Sequence, residues 1–133
     1  MTKTIVTSGK RKMAVARAAI TKGGGRIRIN SVPLEIHEPF LAREKIREPL
    51  VLAGDRSEKV DITVNARGGG IMGQADAIRT AIARGLVEFF GDAELKQAYQ
   101  HYDRTLLVND TRRKEPKHPL GRGARKKTQK SYR

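Results

Sequence analysis

Residues 60–90 read VDITVNARGGGIMGQADAIRTAIARGLVEFF and combine a strand pattern, a glycine turn and a helix pattern. From Val60 to Asn65 apolar and polar side chains alternate, which predicts a strand with one face in water. This alternation favours an antiparallel or edge position over a fully buried parallel one. Apolar residues from Ile78 to Phe89 recur at every third or fourth position, which predicts an amphipathic helix over residues 74–90.

Upstream of this segment the sequence predicts two strands and a helix. Residues 13–20 alternate weakly and residues 26–29 alternate clearly, and the glycines at 23–25 supply the positive φ angles of a tight connection. We interpret the two strands as an antiparallel pair. Apolar residues at helical spacing predict a helix over residues 43–52, in which Pro49 should introduce a kink or a break.

Downstream of Phe90 the sequence predicts a third helix and a last strand. Asp92 is placed to cap the N-terminus of this helix. Residues 106–108 are apolar and predict a short strand before the basic C-terminal segment. The inner face of the helix is expected to consist of four residues: Leu95, Ala98, Tyr99 and Tyr102.

The positive charge of the 133-residue chain is concentrated at its C-terminal end. The chain carries 28 Lys and Arg against 14 Asp and Glu, a formal net charge of +14. Ten of these cations, but only two acids and three apolar residues, fall in residues 110–133. So little apolar surface cannot offset about 1–2 kcal/mol of backbone entropy per residue. The sequence therefore predicts a globular body over residues 1–109 and an extended basic tail over residues 110–133, ordered by a polyanion.

Composition argues against export, membrane insertion and metal chemistry. Cysteine is absent, which excludes disulfides, thiolate metal sites and a cysteine nucleophile. The histidines His37, His101 and His118 lack the paired spacing of a zinc site. Four-residue aliphatic runs are too short for an export signal or a membrane helix. We expect a soluble, unexported protein that is not an enzyme and has no metal, cofactor, small-molecule substrate or membrane partner.

The glycine turn is open to three interpretations. Gly68, Gly70 and Gly73 match the G-x-G-x-x-G pattern of dinucleotide-binding turns, between a strand and a helix. A dinucleotide-binding fold needs another parallel strand soon after that helix, whereas this sequence continues with a second helix. Alternatively, the glycines let strand and helix pack closely. In the third interpretation their backbone amides hold an RNA phosphate, with Arg67 and Arg79 nearby.

Clusters of cations at both ends of the chain favour binding to nucleic-acid phosphates. No predicted helix presents a concentrated basic face for the DNA major groove, whereas an extended basic arm suits the crowded phosphates of folded RNA. A DNA-organising protein and, less favoured by the order of elements, a nucleotide-using enzyme are the alternatives. The expected RNA contacts are Lys10, Arg11, Lys12, Arg17, Arg67, Gly68, Gly69, Gly70, Arg79, Arg112, Arg113, Lys114, Lys117, Arg122, Arg125, Lys126 and Lys127.

Three stretches of the chain follow a known pattern: GKRKMAVAR at residues 9–17, GGGIMGQADAIRTAIARGL at residues 68–86, and the basic residues 121–133. Together they resemble the universal small-subunit ribosomal protein nine family and span nearly the whole chain. The ending QKSYR is similar to the archaeal and eukaryotic form of the family rather than to the bacterial one.

This resemblance implies an α+β body, a small mixed sheet packed with helices, similar to the second domain of small-subunit ribosomal protein five. It implies a cytoplasmic, structural component of the small ribosomal subunit that binds ribosomal RNA in the subunit head beside neighbouring head proteins. It also implies that the tail approaches peptidyl-site tRNA, which is within reach because 24 extended residues span up to about 80 Å. The residues that the resemblance assigns to this tRNA are Gln129, Lys130 and Arg133.

Overall fold

The computed structural model describes residues 3–125 and shows an α+β fold, in which helices cover one face of a five-stranded mixed sheet. The strands are β1 (Thr4–Arg11), β2 (Ala14–Lys22), β3 (Ile27–Ile29), β4 (Val32–Pro33) and β5 (Val60–Arg67). The α-helices are α1 (Phe40–Ala53), α2 (Ile71–Phe90) and α3 (Ala93–Tyr102). Short 3-10 turns cover Leu34–Ile36, Gly54–Lys59 and Arg104–Leu106. Across the sheet the strand order is β1-β2-β5-β3-β4.

Strand β5 lies inside the sheet, between β2 and β3. It pairs antiparallel with β2 over eight residue pairs and parallel with β3 over three. Its residues alternate between buried and more exposed positions, with Val60, Ile62 and Val64 buried. The predicted antiparallel pairing and the solvent-exposed face of this strand are therefore confirmed. Strand β5 is not at an edge, because the short strand β3 pairs with its other side. The prediction of an antiparallel or edge position is met by the antiparallel pairing with β2.

The glycine loop at residues 23–25 joins β2 to β3 without forming the predicted antiparallel pair, because β5 is inserted between these two strands. Amides of the loop donate instead to the carbonyl oxygens of Lys59 and Val60, over 3.0 Å each. The Asp61 carboxylate accepts a further amide hydrogen bond from the loop. The loop thus crosses the N-terminal end of β5. This contact joins segments that are distant in the sequence, and the alternation of residues within one segment does not predict it.

Helix α2 forms the centre of the helix layer and packs against β1 and β2. The helix predicted over residues 74–90 is confirmed and begins slightly earlier, at Ile71. Gly9 in β1 lies directly against the α2 backbone. A Cβ atom at Gly9 would overlap the carbonyl oxygen of Ala77 and lie 2.7 Å from the amide nitrogen of Ala81. The close approach of helix and strand therefore requires glycine at this position.

Helix α1 continues through Pro49 as one helix, so the predicted break does not occur. The proline ring is buried, and its carbonyl oxygen accepts a 2.7 Å hydrogen bond from the hydroxyl of Tyr99 in α3. Burial raises the pKa of the Tyr99 hydroxyl far above its ordinary value. Pro49 therefore lies at a buried contact between α1 and α3.

Helix α3 begins as the sequence predicts, with the Asp92 side chain accepting a hydrogen bond from an amide of the first turn. Leu95 and Tyr99 form the buried side of this short helix. Ala98 and Tyr102, which were predicted on the same inner face, are exposed. The predicted inner face included too many residues, because only one narrow side of α3 contacts the body.

The strand predicted over residues 106–108 is wrong, since Arg104–Leu106 form a 3-10 turn. The Asp103 carboxylate accepts a 3.0 Å hydrogen bond from the amide of Thr105, and the Asp103 carbonyl accepts one from the amide of Leu106. Leu106 is fully buried in the core. Its apolar character therefore reflects packing in the helix layer and not pairing in the sheet.

The second face of the sheet carries no helix. Alternate residues of β2 and β5 are buried under the helices, and the residues between them are partly or fully exposed. After the body, residues 111–120 are exposed and contain neither helix nor strand. No helix within residues 3–125 is long and apolar enough to cross a membrane.

Replacing Gly9 by alanine is expected to lower the free energy of unfolding by at least about 1–3 kcal/mol, the usual cost of overpacking a core. The new methyl group meets backbone atoms of α2, which cannot rotate away. Gly24→Ala is the control, because a Cβ atom at Gly24 meets nothing within 4 Å. Urea unfolding compares the two variants, and equal midpoints would contradict the close packing of α2 on β1.

Candidate nucleic-acid interface

The open face of the sheet, meaning the face without helices, carries exposed cations on adjacent strands. Arg17 on β2 lies opposite Asn65, and Arg67 on β5 lies opposite Val15, so the two arginines occupy diagonal positions. Backbones at such positions are about 7–8 Å apart. On the next strand, Lys10 of β1 pairs with Val15. These side chains form a positively charged surface with a shallow depression between the strands.

The cations of the open face are not neutralised within the described part of the chain. No carboxylate of residues 3–125 lies within 4.0 Å of the charged nitrogens of Lys10, Arg17 or Arg67. Asp61, at the far end of β5, accepts hydrogen bonds from the backbone amides of Gly24 and Arg26 at one carboxylate oxygen. The surface therefore retains positive charge that can attract phosphate groups.

Arg28 extends this surface onto β3 and was not among the predicted contacts. It is exposed and pairs in register with Thr63 on the open face. The signal was present in the sequence, because Arg28 stands at a polar position in the alternating residues 26–29. It was missed because a single cation in a short strand has no signature of its own.

The predicted contact Lys12 lies at the tip of the turn between β1 and β2. It is exposed and has a left-handed φ of 53°. A groove beside it is lined by Gly69, Gly70 and Met72, next to the N-terminus of α2. The positive surface of the open face therefore continues to Lys12 at the tip of the hairpin.

The glycine turn joins β5 to α2 and fits the close-packing interpretation. Gly68 and Gly69 have φ values of 76° and 67°, and Cβ atoms there would lie 2.5 Å from the carbonyl oxygen of Met13 and 3.1 Å from Ala14. Gly70 has open space around it. Helix α2 is followed by α3 and not by a parallel strand, so the glycine turn between β5 and α2 does not lie in a βαβ unit like that of a dinucleotide-binding fold.

Arg79, which the sequence analysis assigned to RNA, is buried in the body. Its side chain is 8% exposed, and its Nη2 atom lies 2.7 Å from Glu48 and 3.0 Å from Asp103. Partial burial raises the pKa of Asp103, but hydrogen bonds from Thr105 and Arg79 outweigh this effect and hold the pKa below its ordinary value. Arg79 therefore joins α2 to α1 and to the turn after α3, and it is not presented to a phosphate.

Arg11, also among the predicted RNA contacts, points toward acids of the body. Its side chain is 16% exposed, with Nε 3.8 Å from Asp76 on α2 and Nη1 3.7 Å from Asp110. Two carboxylates thus lie near this one guanidinium group. We therefore leave Arg11 and Arg79 out of the candidate interface.

Arg84 on α2 binds backbone oxygens and was not singled out from the sequence. Its Nε atom donates a 2.7 Å hydrogen bond to the carbonyl of Leu107, and Nη1 donates one of 2.9 Å to the carbonyl of Ser8. An arginine that binds carbonyl groups far away in the sequence leaves no local pattern. Arg84 fixes the segment before the tail to strand β1.

The described part of the tail presents further cations. Arg112 and Arg125 are exposed but pair with acids of the tail, 2.6 Å from Asp110 and 2.9 Å from Glu115. Four other cations are exposed and have no ion pair within residues 3–125: Arg113, Lys114, Lys117 and Arg122. The remaining predicted contacts lie outside the described residues: Lys126, Lys127, Gln129, Lys130 and Arg133.

Known proteins match this chain over nearly its full length. The relative from Methanothrix thermoacetophila is 59% identical over 98% of this chain and 99% of its own. Those from Halobacterium salinarum and Thermoplasma volcanium are 58% and 57% identical over at least 96% of this chain. All three are named small ribosomal subunit protein uS9. The sequence profile described as ribosomal protein S9/S16 matches residues 9–133, and the chain therefore belongs to this family.

Proposed function

We propose that this chain is a structural, non-enzymatic protein of the small ribosomal subunit and that its open sheet face binds ribosomal RNA. Relatives named for that subunit match at least 97% of this chain. The observation that carries the RNA-binding part is the exposed pair Arg17 and Arg67, which no carboxylate of the described chain neutralises. As part of this ribonucleoprotein the chain works in translation, in the cytoplasm.

The open face has the chemistry that an RNA backbone requires. The guanidinium group of arginine can donate two parallel hydrogen bonds to phosphate oxygens, and each phosphate contact releases counterions from the RNA. The shallow minor groove of folded RNA exposes phosphates and ribose hydroxyls to a broad surface rather than to a single inserted helix. We assign to this surface Lys10, Lys12, Arg17, Arg28, Arg67 and the amides of Gly68–Gly70.

The tail extends the same contacts beyond the body. Arg113, Lys114 and Lys117 are exposed on a segment without helix or strand. A thin cationic chain of this kind can follow phosphates between RNA helices where a folded body does not fit. We assign ribosomal RNA contacts to the tail cations from Arg112 to Lys127.

The finer parts of the proposal come from the family resemblance. They are a body over residues 1–109 similar to the second domain of small-subunit ribosomal protein five, a tail over residues 110–133, and a position in the subunit head beside other head proteins. In this arrangement the end of the tail contacts peptidyl-site tRNA. The residues proposed for this contact are Gln129, Lys130 and Arg133.

Replacing Arg17 and Arg67 together by glutamine is expected to weaken binding to small-subunit ribosomal RNA and to flatten its salt dependence. Loss of two phosphate contacts reduces the slope of log K against log salt by about 1.4–1.8. Filter binding of the full chain over a salt series measures both quantities. Thermal unfolding checks that the body is intact, since both side chains lie on the exposed face.

The control for this experiment is the double variant Lys96→Gln and Arg104→Gln, which removes the same charge from the exposed surface of the helix layer. We expect its salt slope to stay close to that of the unchanged chain. Equal slopes for the two double variants would refute the assignment to the open face. Equal affinity for duplex DNA at matched salt would favour a DNA-organising protein instead.

Replacing Arg133 by alanine is expected to speed dissociation of peptidyl-site tRNA by about tenfold to a hundredfold, the effect of losing one hydrogen bond to a charged group. Subunit assembly should be unaffected, because the proposal assigns this residue to tRNA and not to ribosomal RNA. Lys114→Ala, which removes a tail charge near the body, is the control. Dissociation rates in purified ribosomes are the measurement, and equal rates for Arg133→Ala and the unchanged chain would remove the tRNA contact from the proposal.

A further inference from the structure

The first residues of the tail are attached to the edge strand of the sheet. Asp110 forms a single parallel bridge with Arg11, at the end of β1. The amide of Lys10 donates to the side-chain oxygen of Asn109 over 3.1 Å, and Arg11 Nη1 donates to the carbonyl of Arg112 over 3.2 Å. We call these five residues the root clamp.

Arg11 is the centre of the root clamp. Its guanidinium group lies between Asp110 of the tail and Asp76 of α2, and the second oxygen of Asp76 is 2.6 Å from Lys45 Nζ on α1. The side chains of Arg11 and Asp110 are only 16% and 15% exposed, so solvent screens this pair less than a pair on the surface. The clamp thus connects the tail to both layers of the body.

Asp110 is held in its charged form. Hydrogen bonds from the side chain and the backbone amide of Arg112 place the pKa of Asp110 far below its usual range, and Arg11 lowers it further. The acid therefore stays ionised at neutral pH. Two cations then share one fixed carboxylate, Arg11 from the body and Arg112 from the tail.

Within residues 3–125, hydrogen bonds and ion pairs to the body are frequent before Arg112 and absent after it. Upstream, Thr80 on α2 donates to the carbonyl of Thr105 over 3.0 Å, and Arg84 binds the carbonyl of Leu107. Among the described residues, no hydrogen bond or ion pair joins residues 113–125 to residues 3–109. The point at which the tail leaves the body is therefore Arg112.

We infer that Arg11 is a positioning residue, which with Asn109 and Asp110 fixes the point and the direction in which the tail leaves the body. The inference rests on the proposed function, in which the tail reaches RNA and tRNA. Without the clamp, the nearest attachment upstream is Val108, whose amide donates to the carbonyl of Arg104. Four more residues, about 13 Å of extended chain, would then join the tail. A longer and freer tail lowers the effective concentration of its tip at any one target.

The alternative role for Arg11 is a direct RNA contact, as for its neighbour Lys12. Variants of Arg11 and Lys12 distinguish the loss of clamp contacts from the loss of charge, because each residue carries one positive charge and only Arg11 belongs to the clamp. Lys12 is exposed, and its side chain makes no hydrogen bond or ion pair within residues 3–125. Lys12→Gln is therefore the charge-matched control for Arg11→Gln. Asp110→Ala changes the charge in the opposite direction and also opens the clamp.

The test is backbone ¹⁵N relaxation on the free full-length chain. We expect residues 109–112 to have order parameters near those of α2, about 0.85, in the unchanged chain and in Lys12→Gln. Arg11→Gln and Asp110→Ala should both bring them below about 0.6, the range of flexible backbone. Amides of α2 report whether each variant remains folded. If Arg11→Gln unfolds, the order parameters of Asp110→Ala test the inference instead.

Order parameters at 109–112 that stay high in Asp110→Ala and in a folded Arg11→Gln would overturn the inference. So would low values in the unchanged chain. Because the sample contains no RNA, the outcome is independent of the Arg133→Ala measurement, which tests the proposed function separately.

Discussion

The structure depends on the close approach of α2 to the first two strands. Gly9 of β1 leaves room for the α2 backbone, and Ala14, Ala16 and Ala18 of β2 are fully buried under the helix layer. Small residues at such a contact bring apolar surfaces together and leave few voids. The other helices pack beside α2 on the same side, so the described body covers only one face of its sheet. The second face must suit water or a polar partner, and its exposed arginines favour an anionic one.

Arginine has two roles in this basic protein, and the face of the fold on which an arginine lies decides between them. Arg79 and Arg84 project from α2 into contacts with acids and carbonyl groups, and Arg11 does the same from the end of β1. Arg17 and Arg67 stand on the open face with no such partner in the described chain. A count of basic residues therefore overstates the charge available to RNA. Part of it fixes the body and the root of the tail.

Sequence patterns predicted the elements whose causes are local. The apolar face of α2, the alternation of apolar and polar residues in β5 and the N-cap at Asp92 each depend on neighbouring residues, and all three are present. Pairing between distant segments was not predictable in this way, because nothing near residues 23–25 indicates that β5 enters between β2 and β3. The same limit affected the site: Arg79 has the charge of an RNA contact, and only the fold brings Glu48 and Asp103 to it.

The central claim is that the open sheet face meets ribosomal RNA while the helix layer faces away from it. Cryo-electron microscopy of the small subunit containing this chain, at a resolution that shows side chains, tests this claim most directly. The account predicts the guanidinium groups of Arg17 and Arg67 within about 3 Å of phosphate oxygens. An open face against protein or solvent, with RNA on the helix layer instead, would contradict it.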